Sequence, residues 1–278
     1  MKSYDRKLDQ RLFSDIDLRY VRGFDMFLQK RGCCGNTRKF YFKALRAILN
    51  RANAEGVGSA ATYPFGRGGF EVSKLEEATA KRYLPAAELS KLKSTTASNP
   101  QCEYARKLFL FSYYCYGISF IDMAMLTAAQ IKQMEDGNYI VYKRQKIKRQ
   151  KGVKPISIKI TPAIRQLIGG LQAASPTVDD FLLPIVTRSG YTGEQLYMHI
   201  RTRYSKYQKY LRLLAEELGI DFHLTSYVSR HTAAMTLQRN NIPREVISQM
   251  LGHADLETTN IYLDSFDNEV INEAAKVL

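Results

Sequence analysis

The sequence predicts a mainly α protein in two parts. The first is a helical N-terminal domain. The second is a mixed α/β domain, mostly helical with a small antiparallel sheet. Three observations predict this. Apolar residues recur at helical spacing along most of the 278 residues. The period drops to two in one region only, over 138–142 and 153–158, which reads as a hairpin. The stretch 56–69 is rich in Gly, Ser and Ala, contains Pro64, and separates two helical runs. The expected boundaries are a first domain at 1–65, a linker at 66–82 and a second domain at 83–278.

Each element has a local reason. Ser14 and Asp15 offer an N-cap for a helix that carries Ile16, Tyr20, Phe24, Phe27 and Leu28 on one face. Gly32 and Gly35 punctuate the chain. Asn36 and Thr37 can cap a second helix whose apolar positions are Phe40, Phe42, Leu45, Ile48 and Leu49. Pro85 suits the first turn of a helix running through Leu92. Another helix is expected over 101–116, with Leu108, Phe109, Phe111 and Tyr113 facing the core. Gly117 interrupts it, and Ser119 can cap a short helix through Leu126. After the hairpin, Thr161-Pro162 starts the next helix. A long amphipathic one runs over 196–218 and stops at Gly219. Helices near 225–239, 243–251 and 266–277 complete the chain.

Lys plus Arg number 41 against 27 for Asp plus Glu, a formal charge of +14. Such an excess implies a polyanionic partner. It is shared: residues 1–82 carry a net +8 and the remainder +6. A basic tail would concentrate the charge, whereas this distribution suits two parts that both touch the polyanion, as a clamp does.

Several classes drop out. No apolar run reaches the ~18 residues that span a bilayer. The N-terminus is polar and has no signal-like apolar region. Cys33, Cys34, Cys102 and Cys115 form no CxxC pair, and a reduced cytoplasm is the plain reading. His199, His223, His231 and His253 show no metal-ligand spacing, and no GxxxxGK[ST] cradle is present.

The most informative stretch is 224–262. It contains Leu-Thr-Ser-Tyr-Val-Ser-Arg-His-Thr and then Leu-Gly-His-Ala-Asp-Leu-Glu-Thr-Thr-Asn-Ile-Tyr. It resembles the tyrosine recombinase, or phage integrase, family. The closing box is highly specific, and the helical N-terminal part looks like the family's core-binding, SAM-like domain. The resemblance implies that Tyr262 is the nucleophile, that Arg230 binds the phosphate and that His253 hydrogen-bonds the phosphate or positions the nucleophile. It also implies a lysine on a β-hairpin turn as general acid. Lys146 is the match, with Lys148 and Lys151 as rivals, because hairpin register is not fixed by sequence.

The chemistry suits these residue types. A tyrosine oxygen attacks a DNA phosphodiester, and the bond energy is kept in a covalent phosphotyrosyl link, so no ATP is needed. The planar fork of arginine matches the two non-bridging oxygens that gain charge. Fixed cations do the work that metal ions do elsewhere, so no metal and no cofactor are expected.

Two departures from the family pattern stand out. The position of the usual first arginine holds Ser119, and Tyr116 stands where a subgroup of mobile-element integrases that shares the serine often has an arginine. Ser119 can give only one neutral hydrogen bond. Arg201 or Arg203 is a guess for the missing cation. Tyr227 stands where the family usually has histidine, one helical turn from Arg230. Tyr227 either donates to the phosphate or packs in the core. His231 must point away from Arg230.

Further DNA contacts are expected at Lys43 and Arg46 in the first domain. In the second they are expected at Arg144, Lys148, Arg149 and Lys151 on the basic hairpin and at Arg201 and Arg203 on the long helix. His199, Lys206, Lys209 and Arg212 share that helix. The implied partners are double-stranded recombination sites, three further copies of the chain in a tetrameric synapse, and an accessory DNA-bending protein where one is used. No membrane partner is implied, and the protein is expected in the cytoplasm at the nucleoid.

The helix over 266–277 would dock either on its own protomer or on a neighbour. The chain begins too close to the core-binding helices to hold the arm-binding domain of many integrases. That fits a simple recombinase, such as an inversion or Xer-like enzyme, or a shortened chain. The rival readings are a type IB topoisomerase and a DNA-binding protein with a degraded site.

Overall fold

The computed structural model describes residues 1–77 and 83–252. His253, Tyr262 and the helix expected over 266–277 lie outside the described residues. The chain divides into two compact units, Met1–Ala80 and Lys81–Leu278.

The first unit is built on helices α1 (Leu18–Lys30) and α2 (Gly35–Ala54). Asp17 caps α1 by accepting from Tyr20 N at 2.8 Å. Ser14 and Asp15, the expected caps, instead lie in a preceding 3-10 turn. Phe24 and Phe42 meet edge to face with centroids 5.6 Å apart, and Phe70 packs on Phe42 at 4.5 Å. Behind them Asp25 is buried and held by Arg38 at 2.9 Å, a pair that ties α1 to α2. Asn36, an expected cap, sits inside the first turn of α2 and donates instead to Glu77 O at 2.7 Å.

The expected linker 66–82 needs correction. Phe70, Val72 and Leu75 belong to the first core, and Val72 is 4% exposed. The Gly-rich composition around them concealed a few large apolar side chains, whose burial outweighs backbone freedom. Tyr63 and Phe65, just before it, pack on the same core.

The second unit is mostly helical: α3 (Ala86–Ser94), α4 (Pro100–Tyr114), α5 (Phe120–Ala124), α6 (Pro162–Ala174), α7 (Gly193–Glu217), α8 (Ser226–Arg239) and α9 (Arg244–Leu251). Pro85 is the N-cap residue of α3 rather than its first residue. The sheet has three antiparallel strands in the order β1 (Ile131–Met134), β2 (Gly137–Tyr142), β3 (Ile156–Lys159). The expected hairpin is β2–β3, with Ile140 opposite Ile158 and Tyr142 opposite Ile156. Those four side chains are buried on one face. Strand β1 was not expected: Lys132 to Met134 are exposed and carry no apolar alternation. β3 starts at Ile156, so 143–155 is a long basic connection rather than a tight turn.

α4 is the centre of this unit. Phe109 and Phe111 are fully buried, and α4 packs against α6, α7 and α8. Among the described residues no helix is long and apolar enough to cross a membrane.

Candidate active site

The site grows from the end of α4. Tyr116 and Gly117 take consecutive left-handed conformations, with φ of 58° and 71°. They turn the chain sharply, and Gly117 N closes the turn on Ser112 O at 2.7 Å. Ser112 Oγ donates to Ile118 O at 2.8 Å and lies 2.7 Å from Ser229 Oγ on α8, in a buried link between the two helices.

One residue beyond Ser229 is Arg230. It is 4% exposed. Its Nη1 donates to Gly117 O at 3.1 Å and its Nη2 to Leu251 O at 2.5 Å. The guanidinium is therefore held between the α4–α5 turn and the last residue of α9. The N-terminus of α8, which sets the height of Arg230, is fixed by α7. Ser226 N donates to Gln208 Oε1 at 2.9 Å, and Ser226 Oγ lies 3.1 Å from Tyr204 Oη.

Arg230 opens into a cleft of about 450 Å³ that is also lined by Ser119, Arg144, Tyr197, Arg201, Tyr204 and Tyr227. Tyr227 is 49% exposed, and its ring meets His231 edge to face at 4.9 Å. Of its two expected roles, the exposure excludes core packing. His231 lies one turn from Tyr227 and lines no part of the cleft.

Ser119 is occupied locally. It caps α5, donates to Asp122 Oδ2 at 2.6 Å and accepts from Asp122 N at 3.3 Å. Asp122 is 3% exposed, and its other oxygen accepts from Gln145 N at 2.6 Å. A buried carboxylate thus holds the backbone beside Lys146. Sequence reasoning missed Asp122. The signal was there: Ser-x-x-Asp before an apolar turn is a helix-start pattern that fixes both residues. Tyr142, at the end of β2, is buried as well. Burial pushes its phenol well above the usual range and Asp122 adds to the effect, while Arg230 and Arg144 oppose it.

Lys146 is exposed on the 143–155 connection, as are Lys148, Arg149 and Lys151. Arg144, on the same connection, is half-buried and donates from Nη1 to Gly252 O at 3.1 Å. Arg203, one of the two guesses for the missing cation, is elsewhere. Its Nε donates to Ile185 O at 3.1 Å and its guanidinium lies 6.0 Å from the Tyr104 ring. Residues two apart on a helix point to roughly opposite sides, so Arg201 faces the cleft and Arg203 does not. His199 is also committed, accepting from Thr187 N at 3.2 Å. In the first unit, Lys39, Lys43 and Arg46 line one groove with Phe65 and Phe70.

A profile of the phage integrase family matches residues 82–269, and one of the phage integrase SAM-like domain matches residues 1–72. The chain belongs to the phage integrase family. Among curated relatives, tyrosine recombinase XerD of Halalkalibacterium halodurans is 43% identical over 54 residues, 19% of this chain and 18% of the relative. XerD of Brucella abortus is 31% identical over 121 residues, 41% of this chain and 36% of the relative. XerD of Shewanella oneidensis is 23% identical over 202 residues, 70% and 62% of the two chains. The matched stretches therefore span less than two thirds of these relatives.

Among solved structures, the XerH recombinase bound to palindromic difH substrate, a post-cleavage complex, aligns with a TM-score of 0.65 at 20% identity. That alignment covers 95% of this chain and 73% of that one. A lambda integrase dimer bound to a COC′ core site aligns with a TM-score of 0.62 at 14% identity, covering 91% and 83%. The Tn1549 transposon integrase in complex with transposon right end DNA aligns at 0.64 and 13% identity, covering 94% and 85%. These likenesses establish the fold: a SAM-like helical domain followed by the integrase catalytic fold.

Proposed function

We propose that this phage integrase family member is a site-specific DNA recombinase that cuts and rejoins strands through a 3′-phosphotyrosyl intermediate on Tyr262. The observation that carries the reading is the placement of Arg230. A buried guanidinium opens into a cleft and is tethered to the carbonyl of Leu251, two residues before His253 in the closing box. A cation held this way is pre-aimed at an anion and needs no reorganisation when charge develops.

In the proposed reaction Tyr262 Oη gives up its proton to solvent and bonds to the scissile phosphorus as the bond to the 5′ oxygen breaks. Lys146 protonates that leaving oxygen, and Asp122 steadies its backbone through Gln145. Arg230 carries the charge on the non-bridging oxygens. His253 hydrogen-bonds the phosphate or positions the tyrosine, and Tyr227 donates at the rim. The reverse attack by another strand's 5′ hydroxyl completes exchange without ATP or metal.

Lys43 and Arg46 of the first unit, with Lys148, Arg149, Lys151 and Arg201 of the second, bind backbone phosphates around the site. The DNA-bound states of the XerH, lambda and Tn1549 proteins support duplex recombination sites as partners. The lambda dimer supports self-association on DNA, with a tetramer as the working assembly.

The test is a supercoiled plasmid carrying two copies of a duplex that the protein selects from a random-sequence pool, incubated without nucleotide or metal. Recombinant circles are expected. Relaxation without recombination would assign a topoisomerase, and binding with neither product would assign a DNA-binding protein with a degraded site.

A further inference from the structure

We propose that Arg144 supplies the second guanidinium for the scissile phosphate, in the role left empty by Ser119. The inference rests on the recombinase reading and assigns a residue within it. The cleft is lined by three arginines among the described residues, Arg144, Arg201 and Arg230. The side chain at 119 contributes no charge, and its hydroxyl proton is spent on Asp122. Arg203 is turned to Ile185. The choice is therefore between Arg144 and Arg201.

Anchoring decides it. Arg201 is exposed on α7. Arg144 is half-buried and fixed at three points. Its Nη1 donates to Gly252 O at 3.1 Å. Its stem runs against Gly252, where an added Cβ would lie 3.2 Å from Arg144 Cδ. The next residue is pinned through Gln145 N to buried Asp122, which Ser119 holds in turn.

Arg144 and Arg230 are also a pair. They donate to the carbonyls of consecutive residues, Gly252 and Leu251, at the C-terminal end of α9. The carbonyls at a helix C-terminus lack partners within the helix and carry its negative end. They can therefore hold two guanidiniums close together before any substrate arrives. Two like charges gathered at one cleft wall repel each other, and an anion between them relieves that repulsion. A phosphodiester offers two non-bridging oxygens, one for each fork. Ser119 then acts at a distance. It positions Asp122, which holds the strand connection that delivers Arg144 and Lys146 together.

The experiment uses a nicked duplex carrying the site the protein selects, with the scissile position mapped from the covalent adduct. That position is prepared as phosphate or as methylphosphonate, in which a neutral methyl replaces one charged oxygen. The full-length protein is compared with Arg144→Ala, Arg144→Lys and Arg201→Ala for cleavage rate and, separately, for duplex binding.

Arg144→Ala should cleave the phosphate about 10²–10³-fold more slowly, as expected for loss of one donor to the developing charge. On the methylphosphonate its deficit should shrink to less than about tenfold, because the charge it served is gone. Arg144→Lys should fall between. Arg201→Ala should lose the same factor on both substrates.

A deficit in Arg144→Ala that is equal on both substrates would overturn the inference, as would cleavage at the wild-type rate or charge-dependent rescue of Arg201→Ala. No cleavage by the wild type would overturn the recombinase reading along with it. Wild-type cleavage with an indifferent Arg144 would leave that reading standing.

Discussion

Gly117 and Arg230 are in direct contact: a Cβ on Gly117 would lie 2.4 Å from Arg230 Cα and 2.5 Å from its Cβ. The glycine's carbonyl accepts from Arg230 Nη1, and its φ of 71° lies in the left-handed region. Gly117→Ala therefore adds backbone strain and a clash at Arg230, the residue proposed to grip the phosphate. It should destabilise the second unit by roughly 2–4 kcal/mol, measured by urea unfolding. Cleavage should fall further than duplex binding.

Arg230 should not be replaceable by lysine. Its two carbonyl contacts and the proposed phosphate contact together need a planar fork, and an ammonium cannot reproduce that geometry. Cleavage by Arg230→Lys is expected to drop about 10²–10³-fold in single-turnover assays, with duplex affinity changed far less.

Asp122 should be legible in exchange of the Gln145 amide. That N–H is satisfied by a carboxylate that is 3% exposed, so it should exchange slowly in the wild type. In Asp122→Ala it should exchange much faster, and the 143–155 connection should become more open to proteases. In Asp122→Asn the remaining oxygen still accepts one bond, and the change should be smaller.

Glu103 should make the second unit less stable in acid. Burial alone would raise its pKa. The bonds from Arg106 Nε and Nη2 at 2.7 and 2.8 Å and from Ala97 N at 3.0 Å outweigh burial and hold it below the ordinary glutamate range. A carboxylate with a depressed native pKa contributes its full stability above the unfolded value. That contribution disappears as pH falls through the native one. Melting temperature should fall in that window, below about pH 4.5, and Glu103→Gln should flatten the decline. At pH 7 the same variant leaves Arg106, 8% exposed, without its charge partner, at a cost of roughly 3 kcal/mol.

Salt should separate phosphate contacts from the rest. Duplex affinity should fall linearly on a log–log plot against salt. Lys43→Ala and Arg46→Ala should each reduce the slope by about one.

How much of this could be read beforehand depends on what each residue answers to. Arg230 was legible because its chemistry and its neighbours in the motif are local in sequence. The helical register was legible for the same reason, since Phe24, Phe42 and Phe109 repeat with the period of the face they bury. Contacts set by the fold were not legible. Asp122 meets Gln145 across 23 residues, and Arg144 meets Gly252 across 108. Arg201 and Arg203 look equivalent on a line and face different surroundings on a helix. The aromatic residues at 65 and 70 were hidden by glycines around them. β1 was hidden because an edge strand with an exposed face needs no apolar alternation.

Everything proposed for the site turns on a covalent bond between Tyr262 and DNA. The direct measurement is trapping on a nicked duplex of the selected site, without metal or nucleotide, followed by mass spectrometry of the adduct peptide. A 3′-phosphoryl linkage on Tyr262 is expected, and its loss in Tyr262→Phe with duplex binding intact. An adduct on another residue, or tight binding of a verified site with no adduct at all, would contradict it.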